Sequence, residues 1–158
     1  MENAALLKAI IENAIDGIIT IDERGRIESI NPAACKLFQY IPEEVIGNNI
    51  TMLMPEPYKG EHDGYINRYQ HTGEPHIIGI GREVTGLKKD STTFPFRLGV
   101  SQVQFSGRKI YTGFIHDLSR EKEAEAQLRE YAAHLEEEVE KRTIWLKDTV
   151  TALEDAKE

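Results

Sequence analysis

Residues 54–82 read MPEPYKGEHDGYINRYQHTGEPHIIGIGR, and how this stretch is parsed decides the rest of the chain. From Pro57 to Gln70, Tyr58, His62, Tyr65, Ile66 and Tyr69 recur at spacings of three and four, which places them on one face of a predicted helix. His62 is therefore expected among aromatic and apolar neighbours. A neutral imidazole in that setting can bind iron through one ring nitrogen while a hydrogen bond holds the other. The same residues equally describe a packed, hydrogen-bonded core histidine. From Ile77 to Gly86 the pattern changes to β-branched residues punctuated by glycine, and a strand is predicted.

Working upstream, Gly17–Asp22 and Arg26–Ile30 flank the turn Asp22-Glu-Arg-Gly25, a hairpin with a glycine available for positive φ. Asn31 is placed to cap a helix over Ala33–Tyr40, with Pro32 in its first turn, and Pro42–Gly47 forms a second short helix ended by glycine. Leu6, Leu7, Ile10 and Ile11 make Ala4–Ala14 an amphipathic lead-in helix. Downstream, strands are predicted at Thr93–Val103 and Lys109–Leu118, separated by the turns Lys88–Ser91 and Phe105–Arg108. Phe96, Leu98 and Val100 alternate with Arg97, Gly99 and Ser101, so the apolar set faces inward. Tyr111, Gly113 and Ile115 are expected to face the same space. Gly113 is notable there, because a glycine among bulky strand residues marks close approach by a ligand or another backbone. A filled core and a ligand cavity both satisfy this pattern.

Composition narrows the function classes. With 158 residues, 40% of them hydrophobic, the chain has one domain's worth of core. Its net charge is 19 minus 27, or −8, which argues against an electrostatic grip on nucleic acid or an anionic membrane. Cys35 is the single cysteine, so an intramolecular disulfide and a CxxC metal site are excluded and a reducing compartment fits. No apolar run approaches the roughly 20 residues of a spanning helix, and MENAALLKAI lacks a basic n-region, so a cytoplasmic location and no membrane contact are expected. Gly79-Ile-Gly81 is too short for a dinucleotide fingerprint, the histidines lack HExxH spacing, and no serine, histidine and aspartate set can be picked out. The chain is not read as an enzyme.

MPEP, HD-x-Y-x-x-x-Y (His62, Asp63, Tyr65, Tyr69), PHIIGIGR (Pro75–Arg82), VTG (Val84–Gly86) and TTFP (Thr92–Pro95) together resemble the oxygen-sensing haem PAS domains of FixL-type histidine kinases. The likeness runs from about the first strand to Asp117-Leu118. It implies an α+β PAS fold, a five-stranded antiparallel sheet with short helices on one face, over residues 15–118, with 1–14 as a flanking helix. It also implies haem b with His62 as the single axial ligand to the iron and a diatomic gas on the opposite position. In the family the arginine matching Arg82 leaves the propionate region to hydrogen-bond bound oxygen. Ile77, Leu98 and Val100 match the apolar distal wall, Arg68 and His76 match residues near the propionates, and Tyr65 and Tyr69 pack beside the proximal ring. Tyr111 and Gly113 complete the expected lining. The sequence departs from the relatives at Ser91, usually glycine, at Phe96, expected as methionine, and at Glu61, often basic. The asparagine-cysteine-arginine segment of flavin photosensors is lacking, since the comparable region is Asn48–Leu53 and Cys35 lies in an earlier helix.

From Ser119 onward there is neither glycine nor proline. Leu128, Leu135, Arg142, Thr149 and Ala156 repeat every seven residues, and Ala132, Val139, Leu146 and Leu153 form a companion row, the seam of a coiled coil. A single amphipathic helix lying on a domain is the other reading, and Trp145 lies off the seam. LEEEVEKRT (Leu135–Thr143) resembles the signalling helix that leads into histidine-kinase dimerisation helices. Residues 119–158 are therefore expected to pair in a homodimer and to carry a signal about 60 Å, at the rise of an α-helix, toward a kinase domain in the same parent chain. The expected function is sensing of oxygen or another diatomic gas. A haem-free PAS dimerisation and relay module, or a PAS domain binding a small organic ligand, are the alternatives.

Overall fold

The computed structural model describes residues 1–56 and 81–157. Helix α1 (Glu2–Asn13) leads into strands β1 (Gly17–Ile21) and β2 (Ile27–Ile30), helices α2 (Pro32–Phe38) and α3 (Pro42–Val45), and a 3₁₀ turn at Ile50–Leu53. Strands β3 (Arg82–Leu87), β4 (Thr93–Phe105) and β5 (Arg108–Asp117) follow, then helix α4 (Ser119–Ala156). The five strands form one antiparallel sheet in the order β2-β1-β5-β4-β3, the fold expected from the sequence. The chain divides into two compact units, Met1–Ser119 and Arg120–Glu158.

The local chemistry explains the joints. At the β1–β2 turn, Asp22 Oδ1 accepts from the N–H groups of Arg24 and Arg26 at 2.8 and 2.9 Å, and Gly25 takes φ +80°. Helix α2 stops at Phe38, two residues before the sequence pattern suggested. Gln39 turns left-handed at φ 67° there, and its N–H caps Cys35 O. Strand β4 runs two residues past its expected end because Ser106 and Gly107 both take positive φ, giving a two-residue hairpin whose twist lets Phe105 pair with Arg108. Ser91 sits in the left-handed region at φ 71°. Helix α4 is capped by Asp117, whose Oδ1 accepts from Ser119 N and Oγ at 2.9 and 2.6 Å.

One sheet face meets α2, α3 and the 3₁₀ turn. Its core comprises Ile19, Ile21, Ile27, Ala34, Phe38, Val45, Leu53, Phe94, Phe96, Tyr111 and Ile115. Phe38, Ile27 and Val45 are wholly buried, each contributing about 1.5–3 kcal/mol through burial. Gly17 packs against Ala34, where a Cβ would stand 3.0 Å from the alanine methyl. The amphipathic lead-in forms as α1, with Leu6, Leu7 and Ile10 exposed. Helix α4, 38 residues long, likewise exposes Leu128, Leu135, Val139, Leu146 and Leu153. No helix among the described residues is long and apolar enough to cross a membrane.

Among the described residues, Asn31 is the buried polar side chain, 3% exposed. Its Oδ1 accepts from Ile18 N and Ala34 N at 2.8 and 3.1 Å, and its Nδ2 donates to Ile11 O and Asp16 O at 3.0 and 3.1 Å. One amide thereby ties α1, the approach to β1, β1 itself and α2. Removing it strands several buried polar groups, each costing about 1–3 kcal/mol. Asn31→Ala is expected to lower the unfolding free energy by about 3 kcal/mol with the slope in urea unchanged. A loss below about 0.5 kcal/mol in the urea titration, the range of an ordinary surface change, refutes the role given to this residue.

Candidate functional site

Cross-strand register decides which predicted lining residues share a face, because paired strand residues project to the same side. Arg82 pairs with Leu98, Leu98 with Ile115, and Ile115 with Gly17. The next row joins Val100, Gly113 and Ile19, and the one after it Gln102, Tyr111 and Ile21. Arg82, Leu98, Val100, Tyr111 and Gly113 therefore all lie on the helix-covered face. Tyr111 is buried, Leu98 and Val100 are half-buried against the core, and Arg82 is exposed at the start of the edge strand. The remaining candidates, His62, Tyr65, Arg68, Tyr69, His76 and Ile77, lie outside the described residues.

The two ends of this inner face differ in how they are filled. At one end Phe38, Phe94 and Phe96 form an aromatic cluster with ring centroids 5.2, 6.1 and 5.4 Å apart, Phe38 meeting both partners edge-on. The cluster closes on Gly86, where an added Cβ would stand 2.8 Å from the Phe94 and Phe96 rings and 3.0 Å from Phe38. Phe96 thus belongs to the packed core, with its ring turned into this cluster. At the other end, a Cβ at Gly113 would meet Leu98 Cδ1 at 3.5 Å and Ile19 O at 3.7 Å, ordinary contact distances. Its described neighbours do not require glycine at position 113, so the missing side chain leaves a notch in an apolar wall. Leu98, Val100, Ile19 and Ile115 supply that wall, and a guanidinium stands on the same face at its edge. This arrangement suits a flat apolar group with an acidic or polar margin, and those residues fit one side of a haem.

Other chemistry is not assembled nearby. Burial, and then the Glu43 carboxylate, push the Cys35 thiol above its ordinary value, which keeps it protonated and a poor nucleophile. Glu44 is held low chiefly by its hydrogen bond from Lys89, 2.5 Å away, and Asp90 by hydrogen bonds from Thr92. Both are surface clasps of turns. Among the described residues no three His, Cys, Asp or Glu side chains gather as a metal cluster.

On the opposite face of the sheet, sequence reading missed one pairing. There His116 Nδ1 lies 2.9 Å from Asp16 Oδ1, beside a shallow concavity lined by Gly81, Arg97, Gly99 and Phe114. The period-two pattern assigned Arg97 and Gly99 to that side correctly. The Asp16–His116 pairing joins residues 100 apart, which no local pattern reports.

Residues 5–118 match the PAS fold family. The sensor protein FixL of Bradyrhizobium diazoefficiens is 43% identical over 129 residues, 82% of this chain and 26% of that protein. The oxygen sensor protein DosP of Escherichia coli K12 is 36% identical over 120 residues, 76% of this chain and 15% of that protein. The chain spans about a quarter or less of the length of these relatives. Among solved structures, the PAS domain of an HTR-like protein from Haloarcula marismortui superposes with a TM-score of 0.60 at 20% identity, covering 73% of this chain and 92% of that one, a likeness of fold.

The two glycines of the inner face make opposite predictions. Gly86→Ala must displace aromatic rings and is expected to cost about 2 kcal/mol, whereas Gly113→Ala stays within about 0.5 kcal/mol. Thermal melts of the two variants check this; equal losses would mean that the Gly113 end is as closely packed as the aromatic end.

Proposed function

The chain belongs to the PAS fold family, and from that premise we propose that it is the sensor module of a two-component histidine kinase, detecting oxygen or another diatomic gas at a haem b held by His62. The observation that carries this reading is the inner sheet face, where Leu98 and Val100 flank the Gly113 notch and Arg82 stands in register with Leu98. The identities to the FixL sensor protein and to the oxygen sensor DosP support it. The haem supplies a reversible binding position for a small gas.

The chain's own residues have separate tasks. His62 would hold the iron, Tyr65 and Tyr69 would flank the group beside it, and Arg68 and His76 would meet its acidic margin. Leu98 and Val100, with Ile77, would wall the other side and exclude water. Arg82 is the charged donor at the rim. A guanidinium there gains either from a carboxylate at the margin or from a polar ligand in the cleft, and the exchange between these two partners is the switch. Tyr111 closes the buried end of the face. The output is α4: its exposed leucine and valine rows pair with a second copy in parallel, and residues 119–158 lead to a kinase domain in the same parent protein, on the cytoplasmic side.

Four outcomes are expected. The chain loaded with hemin and desalted keeps a Soret band that shifts with carbon monoxide. His62→Ala loses it while far-ultraviolet circular dichroism is unchanged; a mutant that keeps the band eliminates His62 as ligand. Arg82→Ala keeps the band but weakens oxygen relative to carbon monoxide by about tenfold, the worth of a charge-assisted hydrogen bond; an unchanged ratio removes Arg82 from the switch. In sedimentation the chain behaves as a dimer at tens of micromolar and Leu135→Asp weakens it, whereas a monomer at high micromolar concentration contradicts the paired output.

A further inference from the structure

The turn between β3 and β4 is bound to the helical side of the fold by contacts that the sensing reading leaves without a task. Inside the turn, Lys88 N donates to Thr92 O at 2.8 Å and Ser91 N to Lys88 O at 3.0 Å. Asp90 Oδ1 accepts from Thr92 N and Oγ1 at 2.9 and 2.5 Å. The turn thus holds its own shape, and its middle reaches across to the α2–α3 corner. Lys89 N donates to Phe38 O at 3.0 Å, meeting one of the carbonyls that a helix end leaves without an intrahelical partner. Asp90 N donates to Gln39 Oε1 at 3.3 Å, and Lys89 Nζ lies 5.8 Å from the Tyr40 ring centroid.

The Glu44 carboxylate completes the join by serving two elements at once. Its Oε1 accepts from Ile41 N at 3.1 Å, which caps α3, and its Oε2 lies 2.5 Å from Lys89 Nζ. The pair is partly exposed, and an ion pair so placed adds little to global stability. What it supplies is position. Strand β3 lies at the edge of the sheet, with β4 as its neighbour. Its turn end is gripped twice, by the contacts of Lys89 and by the aromatic rings that close on Gly86, 2.8 Å from where a Cβ would stand. Its other end is Arg82, exposed and in register with Leu98, and five strand steps, about 17 Å, separate it from Leu87.

We propose that Lys89 and Glu44 are positioning residues: their clasp fixes the turn end of β3 on the α2–α3 corner and thereby sets where Arg82 stands at the strand's other end. The clasp itself is independent of any cofactor. Its bearing on gas binding rests on the role proposed for Arg82. With the clasp open, the edge strand loses its fixed end and Arg82 no longer meets the rim at a defined place.

The test begins with amide hydrogen exchange in the chain without cofactor. The amides of residues 89 and 90 report the clasp, while those of Asn31 and Leu118, which donate to Ile18 O and Pro95 O, report general loosening. Lys89→Met and Glu44→Gln, the latter keeping a side chain that can cap α3, are each expected to speed exchange at 89 and 90 about threefold while the controls hold. Because the two side chains act as one pair, the double variant exchanges no faster than either single one, and Lys89→Arg recovers most of the protection. No change at 89 and 90, an equal rise at the controls, or effects that multiply in the double variant overturns the clasp. In the hemin-loaded chain, Lys89→Met is expected to weaken oxygen relative to carbon monoxide about threefold, and to leave that ratio unchanged in an Arg82→Ala background. A general loss of packing has no reason to spare the Arg82→Ala protein. A ratio that Lys89→Met does not alter, or a shift that persists without Arg82, overturns the link to Arg82. A parent chain without a Soret band defeats the haem reading instead, and exchange at 89 and 90 still decides the clasp.

Discussion

The fold depends on one side chain that would be a liability anywhere else. Asn31 is almost wholly buried, and burying a primary amide is unfavourable unless its donors and acceptor are met. Here they are: two backbone amides on the oxygen, two carbonyls on the nitrogen. Those four partners belong to the end of α1, the approach to β1, β1 itself and the first turn of α2. A hydrophobic residue could fill the volume but could not set the register of these segments. Asn31 trades the modest stability of an apolar core position for a defined junction, and the position of Asp16 is one product of that junction.

Around it, the sheet divides its labour by face. The inner face is apolar and changes along its length from a closed aromatic cluster at Phe38, Phe94, Phe96 and Gly86 to a notched aliphatic wall at Leu98, Val100 and Gly113. The outer face carries a polar row and a few exposed apolar residues, Phe114 and Val103 among them. Because strand side chains alternate, adjacent residues serve different faces: Arg82 looks inward and Glu83 outward, Leu98 inward and Arg97 outward. A one-residue displacement of a strand is therefore felt on both faces at once.

Much of this was legible from residue order. The alternation at Phe96–Ser101 assigned faces correctly, the Asp22–Gly25 turn and the Asn31 cap formed as their residue types require, and the absence of glycine and proline after Ser119 produced an uninterrupted helix. Element ends were legible to within one or two residues except at β3, which begins at Arg82 where the sequence pattern began a strand at Ile77, outside the described residues. Gln39 stopped α2 early, and Ser106-Gly107 let β4 run on, since such ends depend on which residue takes positive φ. What residue order could not reveal is contact between distant residues. Nothing local distinguishes Asn31 as a four-way junction from Asn31 as a simple cap, or announces that Gly81 seats Arg97 and that His116 meets Asp16. The resemblance to FixL-type domains covered the site residues that spacing alone left open between ligand and core.

The central claim, a single histidine of this chain holding a haem iron, is tested most directly by resonance Raman spectroscopy of the ferrous hemin-loaded protein, grown with and without ¹⁵N-labelled histidine. An iron–imidazole stretching band that shifts on labelling and vanishes when carbon monoxide is added is the predicted result. Retained haem without a label-sensitive band, or no retained haem at all, contradicts the account.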